Sequence, residues 1–111
     1  RLGTQDQTFV GRLRESIQQN MGDSDFSVER LGEEVGLSRV QLYRKVKALT
    51  GQTPVELVRK ARLERARRLL EKTDRSVSEI AYEVGFTSPS YFNKCFKDEF
   101  GTSPGGLRES K

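Results

Sequence analysis

Arg44, Lys47, Asn93, Lys94 and Lys97 are the side chains best suited to recognising another molecule. An arginine fork can pair bidentately with guanine and an asparagine amide with adenine, while lysine or serine suits base edges and phosphates. Arg44 and Lys47 stand three positions apart, as do Lys94 and Lys97, so on a helix each pair shares a face. Nothing comparable exists for bond-making chemistry. Histidine is absent, which removes the commonest general base and metal ligand. The single cysteine, Cys95, excludes an internal disulfide, fits a reducing compartment and reads as a half-buried thiol without chemistry. With no nucleophile, metal cluster or phosphate-cradling glycine loop, no catalytic residue, metal or cofactor is expected.

The elements that position these side chains emerge from an internal repeat. Ser27 to Ser38 matches Ser76 to Thr87 at an offset of 49, and after one added residue Leu42, Val46, Gly51 and Pro54 match Phe92, Phe96, Gly101 and Pro104 at an offset of 50. Each copy predicts a short helix, buried through Val28, Leu31 and Val35 or through Val77, Ile80 and Val84, that ends at Gly36 or Gly85. Ser76 and Glu79 form a capping box. A second helix starts near Ser38 or at Ser88-Pro89 and stops at Gly51 or Gly101. Short helix, glycine turn and longer helix is the helix-turn-helix plan.

Between the copies, Thr53-Pro54-Val55-Glu56 opens a helix that nothing breaks until about Asp74. Upstream, Phe9, Leu13, Ile17 and Met21 mark an amphipathic helix that closes the first core, and Pro104 to Leu107 starts a short terminal one. The expected organisation is all-α, two tandem helix-turn-helix subdomains of about seven helices joined by a long linking helix. Its segments are 1–26 (linker and first helix), 27–53 (first unit), 54–74 (linking helix) and 75–111 (second unit and C-terminal helix).

On helical wheels, Leu42, Val46 and Leu49 face inward while Val40, Tyr43, Arg44 and Lys47 face out; Phe92 and Phe96 face inward while Ser90, Asn93, Lys94 and Lys97 face out. With Arg39 and Ser88 at the two helix starts, these outward residues form the candidate DNA contact set. Charges on a single helix are usually just a solvated face, but their matching places in both copies favour a binding surface. Tyr91, Phe92, Phe96 and Phe100 read as core rather than as a base-stacking platform. The run Arg59, Lys60, Arg62, Arg65, Arg67 and Arg68 on the linking helix could reach phosphate or pair with Glu64 and Glu71.

The chain as a whole agrees. Its 111 residues allow one domain or two very small ones, and its net charge of +4 suits a polyanion. Residues 1–26 carry 3 basic and 4 acidic groups, 27–60 carry 7 and 4, and 61–111 carry 10 and 8, so the positive excess follows Ser27. No apolar run spans a bilayer and no signal peptide is visible, so no membrane contact is expected of this segment. A start at Arg1 and a lone methionine, Met21, read as a segment of a longer protein. A protein-binding helical adaptor is the alternative; it calls for apolar anchors on the outward faces and for more than two repeats.

The chain resembles the AraC/XylS family of bacterial transcription regulators from about Phe9 to Leu107. The resemblance is densest in Arg62-Leu63-Glu64-Arg65-Ala66-Arg67-Arg68-Leu69-Leu70, Ser78 to Phe86, Ser90 to Lys97 and Phe100-Gly101-Thr102-Ser103-Pro104. It implies seven helices, each second helix entering a successive major groove of double-stranded DNA, and base-contacting places at Val40, Tyr43, Arg44, Pro89, Ser90, Asn93 and Lys94. Proline has no side-chain donor, so Pro89 can offer only packing or indirect readout. Leu42 to Gly51 looks more narrowly like the C-terminal output module of Bacteroidetes-type hybrid two-component regulators. That narrower resemblance implies a cytoplasmic module of a membrane-anchored protein, a free-standing one-component regulator being the alternative. The family resemblance implies activation rather than repression, RNA polymerase as a second partner, and a homodimer only in the intact protein.

Overall fold

Residues 3–109 are described by a computed structural model. They form seven helices: α1 (Thr4–Gln19), α2 (Val28–Val35), α3 (Arg39–Thr50), α4 (Pro54–Lys72), α5 (Val77–Glu83), α6 (Pro89–Phe100) and α7 (Pro104–Glu109). Two compact units divide the chain within α4. One comprises residues up to Met21 together with Asp25–Arg59, the other Gly22–Ser24 together with the chain from Lys60 onward.

In the first unit, Phe9, Leu13 and Ile17 of α1 are buried with Leu31, Val35, Leu42, Val46 and Val58. Met21 is buried too, yet it follows the end of α1 rather than extending it. The four-residue spacing tracks burial one step past the last helical turn. A polar cluster also ties α1 to α2: the buried Ser16 hydroxyl and the Asn20 amide both donate to the Glu34 carboxylate. The Lys45 ammonium lies 4.4 Å from the centre of the Phe9 ring, covering the edge of this core.

The second unit buries Leu63, Ala66 and Leu70 of α4 against Ile80, Ala81, Val84, Phe86, Phe92 and Phe96. Phe86, Phe92, Phe96 and Phe100 form successive ring contacts with centroids 4.6–5.7 Å apart. Arg108 of α7 donates to the carbonyls of Leu70 and Thr73, closing the end of α4. Arg62 turns inward and donates to the carbonyls of Gly85 and Asp23, its Nε left without a partner. Burial pulls its pKa down, opposed by the nearby Asp23 charge. This inward pose excludes Arg62 from any exposed basic stripe on α4.

Tyr91 departs from its expected place in the core, being 49% exposed. It precedes the buried Phe92 by one residue, a step of about 100° around the helix. Its repeat partner, Gln41, is exposed as well.

Candidate nucleic-acid interface

Both second helices are held by the same local chemistry. Ser38 caps α3 by accepting from the Gln41 backbone amide, with the Gln41 side chain completing the box; Ser88 caps α6 by accepting from Tyr91, with Pro89 in the first turn. Each ends in a glycine with positive φ, Gly51 at 77° and Gly101 at 76°.

The turns that lead into them match too. Leu37 N donates to Gly32 O at 2.8 Å and Phe86 N to Ala81 O at 3.0 Å, the six-to-one bond of a Schellman turn. In the first copy this turn is the tighter one at its start: a Cβ at Gly32 would stand 2.7 Å from the Leu37 carbonyl oxygen, whereas the second copy accommodates Ala81 at the matching place.

Burial of the opposite faces fixes what these helices present. Leu42 and Val46 on α3, and Phe92 and Phe96 on α6, are fully buried. That turns Val40, Tyr43, Arg44 and Lys47 outward on α3, and Ser90, Asn93, Lys94 and Lys97 outward on α6; all eight are exposed. Three candidate residues have part of their capacity already engaged. Arg39 pairs with Glu29 at 3.1 Å, with both side chains largely exposed. Lys47 Nζ donates to the Gly51 carbonyl at 3.2 Å. The Ser88 hydroxyl is occupied as the α6 cap and only half-exposed.

The two faces differ in character. On α3, Val40 is 59% and Tyr43 50% exposed, and Val55 in the first turn of α4 is 50% exposed. With Val28 and Pro54 they line a groove of about 530 Å³ flanked by Arg39 and Arg44. In the sequence Val55 marks only part of a helix start; in the fold the proline before it is buried and Val55, the next residue round the helix, is turned out. On α6 the equivalent places carry serine and asparagine. Among the described residues no group of histidine, cysteine or acidic side chains could hold a metal, and no helix is long and apolar enough to cross a membrane.

A sequence model described as a helix-turn-helix domain matches residues 31–110. The chain is 39% identical over 99 residues to histidine kinase P4 of Formosa agariphila, a match spanning 89% of this chain and 7% of that protein. It is 38% identical over 90 residues to the HTH-type transcriptional activator RhaS of Mannheimia succiniciproducens, covering 81% of this chain and 34% of the relative. The chain thus spans about a third or less of the curated relatives it matches. Among solved structures, the DNA-binding domain of the global transcriptional factor AdpA in complex with a target DNA superposes with a TM-score of 0.84 at 30% identity, covering 92% of this chain and 90% of that one.

Proposed function

Because the chain belongs to the helix-turn-helix domain family, with an AraC-type fold over its described residues, we propose that it binds double-stranded DNA sequence-specifically as the output end of a bacterial transcription regulator. One observation carries this reading: two capped helices, each with one face buried, expose polar and cationic side chains at repeat-equivalent places.

Arg44 on α3 and Asn93 and Lys94 on α6 read base edges, Arg44 being matched to guanine and Asn93 to adenine. Arg39, Lys47, Lys97 and Ser88 lie where phosphate oxygens run beside a recognition helix, Ser88 contributing through the helix start that it caps. In this reading α3 and α6 enter successive major grooves and α4, one unbroken helix of 19 residues, is the spacer.

The likeness to a histidine kinase supports placing this module at the end of a hybrid two-component regulator, facing the cytoplasm, with the sensor part membrane-anchored. Activation through RNA polymerase is the matching output, and dimerisation belongs to the intact protein. The test of the core proposal is selection of binding sites from random duplex DNA with this chain. An enriched bipartite site is expected, and an unenriched pool would contradict it.

A further inference from the structure

The groove beside α3 is unlike the rest of the proposed reading surface. Val40, Tyr43 and Val55 are large apolar side chains left half or more exposed, gathered around Pro54 on the face that also presents Arg44. Exposed apolar clusters of this kind mark binding sites. On a surface that meets duplex DNA, the apolar group within reach in the major groove is the thymine C5-methyl.

Resting on the DNA-binding reading above, we propose that the first unit reads thymine methyl groups through Val40 and Tyr43, with Val55 at the rim. Two observations select this occupant. Arg39 and Arg44 flank the groove, so a polyanion is the charge-complementary partner. The repeat supplies a built-in contrast: the places of Val40, Tyr43 and Arg44 are filled by Ser90, Asn93 and Lys94 in the second unit. The two halves of the site are therefore read by different chemistry, methyl contact in one and hydrogen bonding in the other. The expected site carries thymine in at least two positions of the half bound by α3.

Deoxyuridine separates methyl recognition from everything else, because it keeps the pairing and the groove hydrogen-bond pattern of thymine and lacks only the methyl. The duplex selected by this chain is made in three forms: native, with deoxyuridine in the half bound by the first unit, and with deoxyuridine in the other half. Half-sites are assigned by which half loses preference in Arg44→Ala. Affinity is expected to fall about fourfold per contacted methyl in the first half and to stay within twofold in the second.

The double variant Val40→Ser/Tyr43→Asn, which installs the second unit's residues on an exposed face, is expected to bind the native and deoxyuridine forms alike. Equal affinity of the parent for all three duplexes, with specific binding intact, would overturn methyl reading and leave DNA recognition standing. A penalty that persists in the double variant would overturn the assignment to these residues. Failure to bind the native duplex specifically would remove both readings together.

Discussion

Arg44 and Lys47 lie one turn apart on α3, and their surroundings suit them to different proposed roles. Arg44 projects from the centre of the exposed face, whereas Lys47 reaches the Gly51 carbonyl near the helix end. Arg44→Ala is accordingly expected to cost about 1–3 kcal/mol against the preferred sequence and to relax preference at one position. Lys47→Ala is expected to weaken all duplexes alike and to lower the salt slope by about one phosphate's worth. Binding-site profiles of the two variants check this, and an Arg44→Ala profile identical to the parent's would refute the assignment of the reading face. The outward positions were legible because a 100° wheel needs only the buried side, and Leu42, Val46, Phe92 and Phe96 define it clearly. Pair interactions were not legible. The Arg39 pairing with Glu29 spans ten residues, and the inward turn of Arg62 depends on carbonyls 23 and 39 residues away, which no local pattern encodes.

Element starts and stops were the easiest features to read, since they rest on chemistry between near neighbours. Thr53 with Glu56 and Ser76 with Glu79 each make reciprocal side-chain to backbone bonds, at 2.8–3.1 Å. In both, the bond from the cap's backbone amide is the chief reason the glutamate pKa lies below its ordinary value. A carboxylate whose pKa is lower in the folded state contributes stability above its unfolded pKa and loses it as pH falls through the folded value. Thermal melts should therefore decline on acidification below the ordinary glutamate range, and less steeply in the double variant Glu56→Gln/Glu79→Gln, where an amide still caps. Parallel melting curves for both proteins would contradict this. The turn supplies a second prediction. Gly32→Ala places a Cβ against the Leu37 carbonyl and should destabilise the first unit by about 1–3 kcal/mol in urea unfolding; an unchanged midpoint would show that the turn yields freely. This crowding was not legible, because the second copy carries Ala81 at the same place.

At the scale of the whole chain, α4 is the element shared by both units, and its continuity is what the spacer role requires. Nineteen residues rise about 28 Å, close to the repeat of about 34 Å between successive groove faces. Ala66 would be a poor place to interrupt it, being fully buried in the second core. Ala61 is half-buried and lies beside the division between units, so Ala61→Pro, costing about 3 kcal/mol or more locally, tests the spacer more cleanly, with Ala61→Ser as control. If circular dichroism shows the proline variant folded, its footprint should shrink to about one half-site; a full footprint with unchanged affinity would make α4 a passive tether. The central claim, specific recognition of duplex DNA by a cationic double reading head, is tested most directly by equilibrium binding. The affinities for the selected duplex and for a scrambled duplex of equal length are compared across a salt series. The account predicts a preference of about a thousandfold or more for the selected duplex, and log affinity falling linearly with log salt at about −0.9 per neutralised phosphate. Equal affinity for the two duplexes, or affinity indifferent to salt, would contradict it.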